Sequence, residues 1–565
     1  MKSNGNSNKK MSPSEVSDWM HKSRVAPLWK KRTAEYLKRK LITMDQMLTL
    51  NKMIDSKDPD SRNLFLEVVA QILKENLVIG LNDGQKKAFE QITDYTSLPF
   101  PGFLDEGAEA FPQGFVLKGY AGTGKTFLIK RVIEYICNTD TNAKIAIGAP
   151  TNKAVQVLYK SSGANATGHK GYVFEDIFDK NARIVYSTIH KLLGLKETIT
   201  DKGEQLFLED SMNDSELSKF SYLIVDEVSM LDDDLCKKIM QYSDRIKIIF
   251  MGDPAQIPPV KRKDALPLKN PQDHSYRFLY GELTEIMRQQ GEHPIVDASF
   301  AIRTSLHDPE PLTDIKTQLN DKGHGIIRIN LSTEKDKIKP ILKQYFDTPE
   351  FAENNDHMRV IAWKNATVEY INSVVRELIY GKNPERFIVG EKLIAKKPIS
   401  EKLKSDKDHS WDYWKVVYPT SEELTVEEVC EDYITIQEGD FKLKAKVYEL
   451  DVSSVNVFTG SVISRYINVI HEDSEIAYKN LLEKARQKAM STKKGIDWVI
   501  YFNLMKWSAE VMYGYAITAH KSQGSTYKNV MIMESDVDAN NKIVERNRIK
   551  YTAYSRATDV LFVVK

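Results

Sequence analysis

The chain has 565 residues, of which 41% are hydrophobic and 28% charged, with a formal net charge of +1. That length allows about three or four domains at ~150 residues each, and the balance is that of a soluble globular protein. No apolar run approaches the ~18 residues of a membrane span, no signal peptide opens the chain, and the three cysteines, Cys137, Cys236 and Cys430, lie too far apart to form a metal spacing. A cytosolic protein with reduced thiols, two of them in the core, is expected. Net charge gives no nucleic-acid signal, although a local basic groove can exist in a neutral chain.

Residues 1–12 lack apolar side chains apart from two methionines and read as disordered. Residues 13–80 carry helical spacing, with Trp19, Val25, Leu28 and Trp29 followed by Leu37, Leu41, Met47 and Leu50. Pro13 and Ser14 open that stretch as a helix start. From about 81 the pattern alternates. FVLKG (115–119), KIAIGAP (144–150), YLIVDE (222–227) and IKIIFMGD (246–253) are strand-like and are separated by amphipathic segments of helical length. This order predicts a parallel sheet covered by helices on both faces. A second set follows, with HMRVIAW (357–363), a helix over 366–378, NVMIME (529–534) and VLFVVK (560–565). Its strands are far apart in sequence, so 389–510 reads as an insertion. The insertion starts with β-like pieces, EKLIAKKPI, WKVVYPT, DYITIQEG and FKLKAKVYEL. Helices over 471–490 and about 498–512 follow.

The octet Gly119 to Thr126, GYAGTGKT, fits G-x-x-x-x-G-K-[ST] and sits between a strand and a helix, the context that the motif needs. Gly119 and Gly124 let the backbone wrap a phosphate. The loop amides, including those of Ala121, Gly122 and Thr123, and the helix N-terminus bind the anion. Lys125 can reach the β- and γ-phosphates and Thr126 can hold Mg²⁺. The implied ligands are ATP and Mg²⁺. Asp226 and Glu227 end a strand about 100 residues later. An acid pair there can cap a helix, but after a phosphate loop it suits Mg²⁺ binding by Asp226 and activation of water by Glu227. GDPAQIPPV (252–260) follows the next strand, and Gln256 can sense the γ-phosphate from a loop stiffened by Pro254, Pro258 and Pro259.

Taken in order, these motifs and those downstream resemble the superfamily 1 helicases. Gln85, in LNDGQKKAFE, matches the adenine-reading glutamine of that family. APTNKAV (149–155) matches motif Ia and STIHKLLG (187–194) motif Ib. LTEIMRQ (283–289) matches motif IV with Arg288, AITAHKSQGSTY (516–527) motif V, and YTAYSRAT (551–558) motif VI with Arg556. The STIH and AHKSQG motifs and the inserted β-region are similar to the 5′→3′ branch, superfamily 1B, that includes RecD-like, Pif1-like and Dda-like enzymes of T4-like phages. VIAWKNATVEYINSVVREL, FIVGEKLI (387–394) and WVIYFNLMKW (498–507) resemble segments of the Dda-like enzymes. The resemblance covers about 81–565. It is silent on the first 80 residues and on extra residues near 161–183.

The resemblance implies an α/β fold of two RecA-like P-loop motor domains. The first would span 81–290, with an inserted pin hairpin at about 195–210. The second would comprise 291–388 and 511–565. An SH3-like β-domain with a helical hook would occupy 389–510, and a helical extension 1–80. It implies a DNA-stimulated ATP hydrolase that unwinds duplex DNA 5′→3′, with Lys125, Glu227, Gln256, Arg288 and Arg556 as catalytic residues. Arg288 and Arg556 would come from different motors to neutralise charge developing on the γ-phosphate, so that ATP closes the cleft and hydrolysis opens it. An ion pair in the core or at the surface is the alternative for each arginine.

Single-stranded DNA would be held without sequence preference, through backbone contacts and stacking, by Thr151, Asn152, Thr188, His190, Thr518, His520, Lys521 and Ser522. Either histidine can instead be a core or capping group. Gln523 and Gly524 would link strand contacts to the γ-phosphate, with Gly524 at the nucleotide. In LKETITDKGEQLFLED (195–210), Asp201, Lys202 and Gly203 suit a tight hairpin turn, and Phe207 would stack on the first base pair or pack on a neighbouring strand. Trp411, Tyr413 and Trp414 would contact DNA or the pin, or pack in a core. The expected partners are single-stranded DNA and junctions, with a single-strand-binding protein implied by the family, and the expected state is a monomer without membrane contact. An RNA helicase or remodeller of the same superfamily, or an ATP-gated binding module in a replication complex, are the alternatives. Replication, recombination and repair all remain open as pathways. No nuclease cluster is apparent.

Overall fold

A computed structural model describes residues 25–56, 61, 64–98, 111–140, 142–162, 171–173, 183–199, 205–209, 215–259, 262, 264–287, 293–309, 316–403, 413–456 and 461–565. The expectations for 1–24, for the Asp201–Gly203 turn, for Arg288 and for Trp411 lie outside these residues.

Two parallel sheets organise the chain. The first has seven strands in the order Gly171–Val173, Ile184–Thr188, Ile145–Ala149, Tyr222–Val225, Lys247–Gly252, Gly114–Gly119 and Phe278–Leu283, all parallel. Its central strands are buried along their length, apart from a half-buried Lys118 in Gly114–Gly119. Such burial on both faces explains why they read as continuous apolar runs. Three of the seven, Gly171–Val173, Ile184–Thr188 and Phe278–Leu283, are absent from the strands expected from sequence. STIH supplies the end of one, and the edge strand Phe278–Leu283 shows a mixed burial pattern.

The second sheet runs Gln318–Leu319, Gly325–Ile329, Ala557–Val564, Tyr527–Met533, Met358–Ala362 and Ala516–Thr518. Only the first of these strands is antiparallel. The switch points of both sheets therefore present their loops at the C-terminal strand ends, where open α/β sheets bind ligands.

The insertion forms a five-stranded antiparallel sheet, Val462–Ile470, Phe441–Val455, Glu423–Glu438, Lys392–Ala395 and Val511–Tyr513, beside the hairpin of Ile399–Leu403 and Tyr413–Tyr418. Helices Glu472–Thr492 and Gly495–Met505 pack against it. The expected helix over 498–512 stops at Met505. The backbone N–H of Ala509 donates to Asn468 O (2.7 Å), and that of Ile470 donates to Ser508 Oγ (3.2 Å), which draws the chain back to the sheet. Residues Val511–Tyr513 then pair with Lys392–Ala395.

Ahead of the first sheet, helices Val25–Lys38, Met44–Asp55 and Phe65–Leu77 share its hydrophobic core. Trp29 meets Phe65 edge-on at 5.2 Å. Arg32 donates to Cys137 O (3.1 Å), Tyr36 Oη to Asn138 O (3.0 Å), and Arg39 pairs with Glu134 (2.9 Å). All three grip the C-terminal end of helix Lys125–Thr139, whose last carbonyls lack intrahelical partners. Cys137 and Cys236 are buried and Cys430 is exposed, all as free thiols.

Candidate functional site

The phosphate loop leaves strand Gly114–Gly119 and enters helix Lys125–Thr139. Its left-handed residues are Gly122 (φ 80°) and Gly124 (φ 78°), not Gly119. Gly119 is needed for space instead: a Cβ there would lie 2.8 Å from Lys125 Cγ. Lys125 Nζ folds back onto the carbonyls of Gly119 and Tyr120, the latter at 3.1 Å. Thr123 is buried and its hydroxyl donates to Tyr120 O (2.8 Å). Thr126 is half-buried in the first helical turn. Gln85 is buried, and its side chain closes a capping box with Asn82 while Nε2 donates to Thr123 O (3.1 Å). It thus braces the loop through its amide, and a Cβ on Gly124 would collide with it at 2.5 Å.

Asp226 and Glu227 follow strand Tyr222–Val225, two strands from the phosphate loop across the sheet. Glu227 sits at φ 52°, an uncommon conformation for a residue with a side chain, of a kind that concentrates at functional sites. Its N–H donates to Asp226 Oδ1 (2.8 Å). Burial first, then the Asp226 carboxylate, pushes the Glu227 carboxyl up to about 7, while Arg556 and Lys125 oppose that rise. Burial likewise raises Asp226 against the pull of Lys125. Two adjacent carboxyls, Asp226 buried and Glu227 half-buried, with too little positive charge around them, and a threonine hydroxyl at the helix start, form a hard-oxygen donor set. It fits Mg²⁺, which takes one or two carboxylates together with substrate phosphates. Among the described residues no group of three or more His, Cys, Asp or Glu forms a self-sufficient metal cage.

The loop after Lys247–Gly252 carries Gln256, which is buried with its Oε1 lacking a hydrogen-bond partner. Arg556 arrives from the second sheet. It is buried and held by three carbonyl or hydroxyl oxygens, those of Thr552 O (Nε, 3.0 Å), Ser525 O (Nη1, 3.0 Å) and Ser555 Oγ (Nη2, 3.0 Å). Arg288 is outside the described residues, but its neighbour Met287 donates its N–H to Gly122 O (3.0 Å), which ties that segment to the phosphate loop. Gln523 spans the two halves, with Nε2 donating to Ile257 O (2.8 Å), and Thr552 Oγ1 accepts from Ile257 N (3.3 Å). Gly524 (φ 72°) packs on Ala154 of helix Asn152–Ser162, where a Cβ would stand 2.9 Å from the alanine Cβ. Its place is therefore the contact between the two halves.

Three threonines stand at the C-terminal ends of parallel strands and start a turn. Thr151 Oγ1 accepts from Ala154 N (3.3 Å), Thr188 Oγ1 from Lys191 N (3.4 Å) and Thr518 Oγ1 from Lys521 N (3.4 Å). Asn152, His190, His520 and Lys521 follow them, each half-buried. Ser522 is buried and its hydroxyl donates to Ala519 O (2.8 Å), so it supports its loop from within. Burial lowers His190 to about 4 and also lowers His520, leaving both imidazoles neutral at pH 7. Lys521 is lowered by burial and by Lys396.

Leu195–Ile199 and Gln205–Glu209 form an antiparallel hairpin that pairs Phe207 with Glu197. Trp414 of the insertion meets Trp507 edge-on at 5.7 Å.

Sequence reasoning missed three groups. Asp253, inside the GDPAQ motif, binds the phosphate loop. Tyr551, inside YTAYSRAT, reaches it from the other half. Lys153, inside APTNKAV, pairs with Asp356 (3.1 Å) and Glu423 (3.7 Å). Each lies in a quoted motif, but a partner more than 130 residues distant leaves no trace in a local pattern.

Residues 108–262 match the AAA domain family and 513–564 the UvrD-like helicase C-terminal domain. An uncharacterised protein of Acanthamoeba polyphaga mimivirus is 27% identical over 79% of this chain and 94% of its own length. The ATP-dependent DNA helicase dda of Enterobacteria phage T4 is 25% identical over 80% of this chain and 92% of its own. The RecBCD enzyme subunit RecD of Buchnera aphidicola (subsp. Schizaphis graminum) is 25% identical over 78% and 68%. Pif1 helicase from Bacteroides, solved in complex with ADP-AlF3 and ssDNA, is 17% identical over 85% of this chain and 92% of that chain, with a TM-score of 0.39. The order of the motifs at the strand ends of two parallel sheets agrees with the two domain families and with the similarity to the Dda and RecD helicases.

Proposed function

We propose that the chain is an ATP- and Mg²⁺-dependent DNA helicase that binds single-stranded DNA across two motor domains and moves 5′→3′. The observation that carries this reading is the convergence of Lys125, Glu227 and Gln256 from the first sheet with Arg556 from the second, bridged by Gln523 on Ile257. A pure binding module needs no half-buried carboxylate at the position of a general base.

In this reading ATP draws Lys125 off the Gly119 and Tyr120 carbonyls and onto its phosphates. Thr126 and Asp226 would hold Mg²⁺, which would supply positive charge against the phosphate oxygens. Glu227, raised toward neutrality, orients the attacking water and takes its proton. Arg556 is already fixed by three oxygen acceptors, so it meets the charge developing on the γ-phosphate with little reorganisation. Gln256, with its free Oε1, reports the γ-phosphate to Ile257, and from there Gln523 reaches motif V. Thr151, Asn152, Thr188, His190, Thr518, His520 and Lys521 line the strand path on both motors. Their short polar side chains, the neutral imidazoles of His190 and His520 and the single cation of Lys521 suit sequence-tolerant contact with sugar, phosphate and base faces. The hairpin with Phe207 is the duplex-splitting pin, and the inserted antiparallel sheet is an SH3-like domain with a helical hook. The protein acts as a monomer in the cytoplasm, on single strands and junctions, alongside a single-strand-binding protein, in replication, recombination or repair.

Glu227→Gln is expected to keep ATP binding and lose DNA-stimulated hydrolysis, and unchanged turnover would remove the catalytic assignment. Unwinding of partial duplexes with a 5′ or a 3′ tail tests the polarity. Comparing stimulation by poly-dT and poly-U tests the nucleic acid. Unwinding only of the 3′-tailed substrate, or stimulation only by RNA, would overturn those parts of the reading.

A further inference from the structure

One backbone amide of the phosphate loop is held from both halves of the molecule. Ala121 N donates to Asp253 Oδ2 (2.9 Å) and to Tyr551 Oη (3.0 Å). Tyr551 Oη in turn donates to Asp253 Oδ2 (2.5 Å), and the other carboxylate oxygen accepts from Ala255 N (2.9 Å). Asp253 and Tyr551 are each only 1% exposed. The three groups close a triangle from the phosphate loop, the loop carrying Gln256, and helix Ile543–Tyr554 of the second sheet. No ion pair to Asp253 occurs among the described residues, so its buried charge depends on these donors, and removing one is felt by the rest.

The same helix end carries Thr552, which accepts from Ile257 N (3.3 Å), and leads to Arg556, whose Nε is tied to Thr552 O (3.0 Å). Lys550, one residue ahead, is locked to Glu534 and Asp538 at 2.6 Å each. The segment 550–556 is therefore rigid in its own domain and pinned to the first sheet at Tyr551 and Thr552.

We propose that Tyr551, acting through Asp253 and the Ala121 amide, is a positioning residue that registers Arg556 against the phosphate loop. The Tyr551 hydroxyl serves as both donor and acceptor in the triangle. Phenylalanine keeps the ring in its buried slot and removes both bonds. The proposal rests on the ATPase reading above, and the experiment separates the two.

Wild type, Tyr551→Phe, Arg556→Ala and the double variant are compared by DNA-stimulated ATP turnover, by binding of a fluorescent ADP analogue, and by hydrogen–deuterium exchange of the 119–126 peptide without nucleotide. Tyr551→Phe is expected to lower kcat about tenfold, to leave KM for ATP and ADP affinity within twofold, and to raise exchange of the loop peptide. The double variant is expected to lose no more than Arg556→Ala alone, as for groups acting as a unit. Unchanged kcat, unchanged loop exchange, or losses that multiply in the double variant would overturn the proposal. A wild-type protein without turnover would sink the ATPase reading and the positioning role with it. Normal wild-type turnover with an unaffected Tyr551→Phe would sink the positioning role alone.

Discussion

Lys153→Met tests how the first parallel sheet and its helices are held to the rest of the chain. Lys153 stands at the start of helix Asn152–Ser162 and reaches Asp356 (3.1 Å) and Glu423 (3.7 Å). Glu423 also takes Arg359 at 3.0 Å and the Asn355 amide at 3.2 Å. Two cations and two anions cancel, but only while helix Asn152–Ser162 contributes Lys153. Methionine keeps the length of the side chain and leaves the cluster with one excess negative charge. Charges 3–4 Å apart at an effective dielectric near 20 attract by roughly 4–5 kcal/mol before desolvation is counted. The side chains of Lys153, Asp356 and Glu423 keep 23%, 31% and 21% of their exposure, so solvent screens part of this. A net loss of about 1–2 kcal/mol in the docking of the first sheet and its helices is expected.

The pH dependence of this loss follows from Glu423. Burial pushes its carboxyl up, but Lys153 and Arg359 outweigh burial and hold it below the ordinary carboxylate range. Its stabilisation is complete above the ordinary value of about 4.3 and disappears as pH falls through the depressed one. Lys153, for its part, is held above the ordinary lysine range, because Glu423 and Asp356 outweigh burial. Its contribution is complete below about 10.4 and disappears as pH rises through the raised value. Between pH 5 and 9 the deficit of Lys153→Met should therefore be flat. The assay is denaturant unfolding with a fluorescent pair across the first sheet and the insertion. Lys153→Glu with Glu423→Lys should recover part of what either change loses. An unaltered midpoint in Lys153→Met, or no recovery in the swap, would refute the charge argument.

Gly524→Ala should weaken closure of the two halves, because alanine at φ 72° costs about 1 kcal/mol or more and its Cβ would stand 2.9 Å from that of Ala154. DNA-stimulated ATPase should fall while ADP binding holds, and Ala154→Gly in the same chain should restore part of the rate by returning the space. Identical rates with and without Ala154→Gly would argue against steric contact. Phe207→Ala should spare the ATPase and weaken unwinding, and equal loss of both would make Phe207 structural.

How much was legible varied by element. The phosphate loop could be read because its glycines, lysine and threonine are contiguous and their spacing is fixed by one phosphate. The acid pair could be read because a fully buried parallel strand is a plain apolar run with its functional residues at the end. The Ile184–Thr188 strand and the Phe278–Leu283 edge strand escaped because one merges with a polar motif and the other mixes buried and exposed positions without a regular period. The helix ending at Met505 was overextended because the bonds that stop it come from Ile470 and Asn468, on another strand.

The sequence by itself determined the ligand class, the order of motifs and the alternation of strands and helices, since each depends on residues close together in the chain. Only the tertiary structure decided that Gly524 serves a contact with Ala154 between the two halves, that Gln85 braces the phosphate loop, and that Asp253, Tyr551 and Lys153 join the halves. Those roles depend on atoms brought within 3–4 Å from positions as many as 430 residues apart, and no local pattern encodes such a meeting.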